Sequence, residues 1–575
     1  MGHLKLLITY LSEHKLLMFF YFIVTILSYP LESIAISKIY SYFFNTITKP
    51  GNRTISIFLK YFVILIVFLI IINIANSLSS YLDSIIIPQL NEYILKYLYK
   101  NLLIKYENEY TELELGKLIN RIIFIPSNLK MIINESCRVL IPRGLSVIVI
   151  NLYFFYVNWK LGLISVFILI IFFIINYIYV NKCGEISKSR YTEYEEHNQF
   201  IQDKLSNLAS IYAFGNTQLE ISKYTNKLST YISLLKSNLS CILTSSIISN
   251  ILMIILFSTL NGFSAYLFLK KIIGFPELMA LFFIIIYYLP CITDINNSMP
   301  EIIQYYGGIL QLDNFITDLC DVNDNYEKNK ISNTKLKCKI KSATINIKNL
   351  NFKYPSTTKL LFNNFNLKIN HLDKIAFTGP SGNGKSTLIK LIMGYYNVPN
   401  KTIHIDNVDI NNYDLSDLRS NISYVNQNTK LFNLTVLENI KYGNNMTRKE
   451  VEKLCKKLGI EKIFKNLNNG LDTFVGINGE KLSGGQRQMI NILRCIGAKN
   501  KIVILDEPTS AIDKANTDAV IKALEEISKD CTLILITHDE DILHLANRVI
   551  ELNNGVIMKD TRIEEKNDLI DTYHM

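Results

Sequence analysis

Between Leu16 and Ile295 the chain carries six apolar runs, at about Leu16–Ile39, Phe58–Ser77, Leu140–Tyr156, Leu161–Val180, Ile242–Leu269 and Leu278–Ile295. A helix crosses the hydrocarbon of a bilayer with about 20 apolar residues. Soluble folds rarely stack so many buried helices, so the runs predict six transmembrane helices. Spans three and four meet at Asn158-Trp159-Lys160, which leaves room only for a tight hairpin. Ahead of span one, Leu4, Leu7 and Leu11 recur at helical spacing, which predicts a short amphipathic helix on the membrane surface over residues 1–15.

Charge sets the orientation. The segment between spans two and three carries Lys96, Lys100, Lys105, Lys117, Arg121, Lys130, Arg138 and Arg143. That between spans four and five carries Lys182, Lys188, Arg190, Lys204, Lys223, Lys227 and Lys236. The other loops hold far fewer cations, so the positive-inside rule places both termini in the cytoplasm, with a plasma or inner membrane favoured. The two basic segments, each roughly 60 residues and rich in helix formers, predict spans that continue well past the lipid as long arms. A net charge of +10 is explained by these loops, and no basic cluster with interleaved aromatics points to nucleic acid. The nine cysteines are scattered without metal-type spacing, predicting neither a disulfide framework nor a zinc site, and a reducing surrounding for the soluble half. Neither a cleavable signal nor the myristoylation motif is read at the N-terminus, where Leu6 stands in place of Ser or Thr.

After about residue 310 the pattern changes. Residues 311–342 read as a linker, and from Ala343 to the end short β-type runs alternate with helical ones, the mark of an α/β domain. Gly379-Pro380-Ser381-Gly382-Asn383-Gly384-Lys385-Ser386-Thr387 matches the phosphate-binding loop GxxxxGK[ST], with a strand over Lys374–Thr378 before it and a helix over Ser386–Met393 after it. Backbone N–H groups of such a loop curl around phosphates at a helix N-terminus. Lys385 then reaches the β- and γ-phosphates, and the Ser386 hydroxyl ligates Mg²⁺. Downstream, the apolar strand Ile502–Leu505 ends in Asp506-Glu507, where one carboxylate can hold the Mg²⁺ shell and the other can polarise water.

The pattern Leu482-Ser483-Gly484-Gly485-Gln486, followed by a helical run over Arg487–Ile496, is similar to the signature of the ABC transporter superfamily. Other elements follow that family's order: Tyr354 in Phe-Lys-Tyr-Pro, Gln427 in Tyr-Val-Asn-Gln, the Ser510-Ala511-Ile512-Asp513 loop, and His538 after a strand over Leu533–Thr537. In the first half, Glu114–Arg121, the Trp159–Leu163 corner and Ala213-Phe214-Gly215-Asn216 followed by Glu220 resemble the same family's exporters. With spans ahead of the ATPase domain, the chain resembles a half-size exporter of the multidrug, lipid and peptide group.

The resemblance implies a membrane α-helical domain over 16–310 and a C-terminal α/β ATP-binding cassette over 343–575, working as a dimer. It implies ATP and Mg²⁺ as cofactors, with Tyr354 stacking on adenine, Gln427 and Asp506 joining Ser386 in the Mg²⁺ shell, Glu507 as general base or water-orienting group, and His538 contacting the γ-phosphate. Ser483 and Gly485 would bind the γ-phosphate held by the opposite subunit, with Gly484 and Gln486 as further nucleotide-binding positions of the signature. One departure stands out: Ile477 occupies a position that is usually acidic in these exporters. The implied activity is ATP-driven export or flipping of a lipid, amphipathic small molecule or peptide. An ATP-gated channel, a regulatory membrane protein and one half of a heterodimer are the alternatives. Among polar residues inside spans, Glu32 and Asp294 are the sharpest substrate-contact candidates, with Asn73, Asn151 and Asn176 milder.

Overall fold

The computed structural model describes residues 2–24, 38–40, 42–43, 46, 55–108, 115–332, 340–355, 357–427, 430–510, 512 and 514–563. Two compact units result. The first holds Met1–Lys105 and Glu112–Glu327; the second holds Tyr106–Thr111 and Lys328–Met575.

The first unit is all helical. Helices α1 (Gly2–Glu13) and α2 (Lys15–Val24) meet at a bend of 89°. Then come α3 (Ile55–Asn108), α4 (Leu115–Glu135), a π-helical turn (Ser136–Leu140), α5 (Ile141–Val157), α6 (Trp159–Ser206), α7 (Leu208–Ala213), α8 (Thr217–Leu269) and α9 (Phe275–Ser332). Five helices among the described residues are long and apolar enough to cross a membrane, and up to six if the bent pair is one span. The expected spans two to six fall within α3, the π-turn with α5, α6, α8 and α9. Span one is described only over α2 and a few residues near 40, and Glu32 lies outside the described residues. The hairpin between α5 and α6 is as tight as its sequence requires. Asn158 caps α6 by accepting from the Lys160 N–H at 3.0 Å, and a Cβ at Gly162 would sit 2.5 Å from the Phe155 ring.

Long arms extend the spans. Helix α6 has 48 residues and α8 has 53, about 70 and 80 Å of helix at 1.5 Å per residue. Two expectations need correction here, the linker and the cysteines. Of the residues read as a linker, 311–332 continue α9. Ile309, Leu312, Ile316 and Leu319 recur on one face and bury against α1, α3 and α4, and that apolar face holds the helix together. On α1 the buried residues are Gly2, His3, Leu6 and Tyr10, whereas Leu4 and Leu11 face outward as a lipid-facing stripe would. Finally, Cys183 of α6 and Cys241 of α8 form a disulfide; their side-by-side helices bring together residues 58 apart in sequence, which spacing alone does not reveal.

The polar residues within spans find helix–helix partners. Asn151 donates to the Tyr288 hydroxyl at 2.8 Å, and that hydroxyl also meets Ser165 at 2.9 Å. Asn176 reaches Ser249 at 3.3 Å, while Asn73 donates to the Leu69 carbonyl of its own helix at 2.9 Å. Asp294 pairs with Arg143 at 2.8 Å, tying α9 to the start of α5.

The second unit is α/β. Strands β1 (Ile345–Phe352), β2 (Phe362–Ile369), β4 (Ile403–Ile405) and β5 (Val408–Asp409) form an antiparallel sheet in the order β2-β1-β4-β5. Strands β3 (Lys374–Thr378), β6 (Ile422–Val425), β7 (Ile502–Asp506), β8 (Thr532–Ile536), β9 (Arg548–Asn553) and β10 (Val556–Arg562) form a second sheet in the order β10-β9-β3-β8-β7-β6. All its pairings are parallel except β10 with β9. Every residue of β7 and β8 is buried, as continuous apolar runs in a sheet covered on both faces require. The helices are α10 (Lys385–Ile392), α11 (Leu415–Ser420), α12 (Val436–Lys441), α13 (Arg448–Lys457), α14 (Glu461–Lys465), α15 (Gly484–Ala498), α16 (Lys514–Ile527) and α17 (Glu540–Leu543).

Candidate ATP site

The site is assembled at the ends of β3 and β7, which lie on either side of β8 in one parallel stretch of the sheet, the edge at which such folds bind ligands. The loop Gly379–Gly384 turns from β3 into α10 through left-handed glycines, with φ of +117° at Gly379, +84° at Gly382 and +101° at Gly384. A Cβ at Gly379 would lie 2.2 Å from the Leu552 carbonyl, so the loop needs glycine there for space as well as for φ. With no side chains at these positions, the N–H groups entering α10 are left to an anion.

Lys385 opens α10 and is 7% exposed. Its ammonium donates to the carbonyls of Gly379 and Pro380, the latter at 2.9 Å. Burial holds its pKa below the ordinary lysine value, against the pull of Asp506 and Glu507. The neighbouring Ser386 hydroxyl donates to Asp506 at 3.0 Å, joining the phosphate loop to the end of β7. Burial raises the Asp506 carboxyl above its usual range, with Ser386 opposing and the negative Glu507 adding to the rise. Hydroxyl, amide and carboxylate oxygens from Ser386, Gln427 and Asp506 are the hard donors that Mg²⁺ prefers, so these residues fit that ion.

Glu507 has φ of +49°, a left-handed conformation that costs a non-glycine residue about 1–3 kcal/mol. Several bonds hold it. Its N–H donates to Ile536 at 2.8 Å, and its carbonyl accepts from Gln488 at 2.8 Å and from the Ser510 hydroxyl at 3.1 Å. Its carboxylate accepts from the Gln427 amide at 2.5 Å. Gln427 and Glu507 are thus brought together, as are Ser386 and Asp506. The sequence reading missed Gln488. It sits in the run after the signature, 1% exposed, and only its position one turn into α15 aims it at Glu507.

The remaining candidates stand apart. Tyr354 packs edge-on against Phe352 and Tyr396, and its hydroxyl shares a 2.6 Å hydrogen bond with Thr387. Ser483 caps α15 in a reciprocal box with Gln486, so the exposed start of that helix is preformed. His538 is exposed, just past β8; the next residue, Asp539, accepts from the Thr509 hydroxyl at 2.7 Å. Ile477 is 65% exposed in a 3₁₀ turn next to Asn478, whose φ is +56°.

A family model for the ABC transporter matches residues 362–510, and one for the ABC transporter transmembrane region matches residues 15–289. The chain belongs to the ABC transporter family. A relative from Pseudoalteromonas translucida, an ATP-dependent lipid A-core flippase, is 27% identical over 513 residues, covering 87% of this chain and 85% of its own. Multidrug resistance protein pgp-1 of Caenorhabditis elegans is 40% identical over 217 residues, 37% of this chain and 16% of the relative. A bacterial Atm1-family ABC exporter solved with ATP bound shares the fold, with TM-score 0.82 and 17% identity over 94% of this chain and 95% of that one. This ABC transporter is an integral membrane protein that couples ATP hydrolysis to export or flipping of a substrate.

Proposed function

We propose that this ABC transporter works as a homodimer that moves an amphipathic substrate, with a lipid as the leading class, out of the leaflet facing its ATPase domains. Both termini then lie in the cytoplasm and the membrane is the plasma or inner membrane. The observation that carries the reading is the linkage of phosphate loop to acid pair: Ser386 bonds Asp506, and Gln427 bonds Glu507. A binding-only switch has no need of a carboxylate held beside the loop in a costly conformation.

The residues divide the work. The N–H groups from Gly379 to Thr387, with Ser381 and Asn383 between the glycines, cradle the phosphates, and Lys385 leaves its carbonyl partners for them. Ser386, Gln427 and Asp506 would hold Mg²⁺, which when bound would supply positive charge against the phosphates. Glu507 orients the attacking water and accepts its proton, and His538 steadies the γ-phosphate end. Tyr354 offers its ring to adenine once its hydroxyl releases Thr387. Ser483, Gly484, Gly485 and Gln486, at the preformed start of α15, complete the site of a second copy. Asn151, Asn176 and Asp294 serve helix pairing in this reading, because each already has a partner on another helix.

The test is ATPase activity of the full chain in lipid nanodiscs beside Glu507→Gln. The wild type hydrolyses ATP and the variant loses about 10²–10⁴-fold, the usual worth of a general base. Cysteines introduced near Ser381 and Gly484 cross-link between copies when ATP is added. A wild type that binds ATP without hydrolysing it sinks the homodimeric pump.

A further inference from the structure

We propose that Arg419 is a positioning residue that fastens the end of the membrane arm α3 to the far end of the phosphate-loop helix α10. The second compact unit includes Tyr106–Thr111, so the tip of α3 is part of the ATPase unit although the same helix starts at Ile55 in span two. The Arg419 guanidinium meets that tip. Its Nη1 donates to the Glu107 carbonyl at 2.8 Å, its Nε to Met393 at 3.2 Å and its Nη2 to Gly394 at 2.9 Å. The cation stacks over the Tyr395 ring at 4.9 Å, which fixes the plane of the fork.

The chemistry of these acceptors is unusual. All three are backbone carbonyls: Met393 and Gly394 close the C-terminal end of α10, where carbonyls lack helical partners and the dipole is negative, and Glu107 lies in the last described turn of α3. One cation therefore joins the negative end of α10 to the described tip of the arm. The first, α10, is 8 residues long and begins with Lys385 and Ser386, so a rod of about 12 Å joins Arg419 to the phosphate site. The second runs back without interruption to the span. Arg419 itself sits in α11, capped by the Asp414 side chain, and α11 leads directly into β6 and on to Gln427. A shift of α10 or of Gln427 on nucleotide binding thus reaches the arm through a planar fork of three bonds. Lysine, a single point charge, cannot span the three acceptors.

This inference rests on the proposed ATP-driven movement of the arms, and Trp159 allows the two to be tested separately. It is the chain's single tryptophan and sits at the corner between α5 and α6, on the far side of the membrane in that reading. The full chain, Arg419→Lys and Arg419→Ala are reconstituted in phosphatidylcholine vesicles. Binding of trinitrophenyl-ATP and the change in Trp159 emission on trapping with ATP and orthovanadate are then measured. The wild type gives an emission change. Both variants bind the nucleotide within about threefold of wild type, while the change falls at least about fivefold in Arg419→Ala and to an intermediate size in Arg419→Lys. A wild-type emission change in nucleotide-bound Arg419→Ala overturns the inference. So does loss of nucleotide binding by Arg419→Lys, which would make Arg419 only a support for the site. A silent wild type removes the arm movement itself, and this inference with it.

Discussion

Replacing Gln488 by methionine separates the placement of Glu507 from the stability of its domain. The side chain is 1% exposed; its Nε2 donates to the Glu507 carbonyl at 2.8 Å, while its Oε1 has no partner among the described residues. Methionine has nearly the same length and equal helix propensity, so α15 is preserved. Removing the donor costs about 1 kcal/mol as a lost hydrogen bond, and removing the unpartnered oxygen returns about 1 kcal/mol or more of desolvation. The two nearly cancel, so the thermal midpoint of the ATPase unit should move by no more than about 3 °C. Glu507 keeps its Ser510 contact but loses the donor that ties its left-handed backbone to the signature helix. If about 1.4 kcal/mol of placement is lost, kcat falls about tenfold while KM for ATP holds. Steady-state ATPase kinetics in nanodiscs and differential scanning fluorimetry read both quantities. An unchanged kcat refutes the reasoning, and so does a kcat that falls only in step with a large drop in midpoint.

Three further outcomes follow from the same geometry. Lys385→Met should weaken nucleotide binding by about 10–100-fold, the worth of roughly 1.5–3 kcal/mol in a bond to a charged group, as measured with a fluorescent ATP analogue. Gly379→Ala places a Cβ 2.2 Å from the Leu552 carbonyl at a φ of +117°, and should cost at least about 2 kcal/mol of ATPase-unit stability by denaturant titration. Asp406 takes N–H bonds from Lys341 at 2.6 Å and from Ser342 and Thr344 at 3.0 Å. Burial works against its charge, yet these donors outweigh burial and hold its pKa below the ordinary carboxylate value. A lowered folded pKa means stability present above the unfolded value, about 3.9, and lost as pH falls through the folded one. Asp406→Asn should therefore unfold earlier than wild type at pH 7, with the difference in thermal midpoint closing below pH of about 4; a difference that persists in acid would exclude the charge as its cause.

The legible parts of this chain were those where one local rule dominates. The strand before the phosphate loop runs over Lys374–Thr378, because the apolar run Ile375-Ala376-Phe377 followed by Gly-Pro leaves little choice. Asn158 fixes the corner of the α5–α6 hairpin because two spans meet with nothing else to turn on. Where two rules compete, the sequence misleads. The charges of residues 311–332 suggest a solvated linker, but Leu312, Ile316 and Leu319 fall on one helical face and extend α9 by more than 20 residues. The apolar stripe Leu4, Leu7 and Leu11 of α1 was legible as amphipathic. The opposite stripe of His3, Leu6 and Tyr10, which packs inward, was hidden by the small Gly2 and the polar His3, whose ring bonds Asp313 at 2.7 Å.

The site divides along the same line. The grouping of Gly379, Lys385, Ser386, Asp506 and Glu507 was legible because the proposed role of each demands one residue type at one spacing from a strand end. Gln488 and Arg419 were not, because what they hold is backbone. A carbonyl has no sequence identity, so nothing in residues 107, 393, 394 or 507 reveals that a side chain elsewhere is needed for them. Both therefore mark the places where this chain's mechanism depends on chain path. Gln488 ties the signature helix to Glu507 at 2.8 Å, and Arg419 ties α10 to the tip of α3 at a similar distance. In the proposed mechanism, these contacts with featureless backbone are where helix movements and the Glu507 carboxylate become mechanically joined.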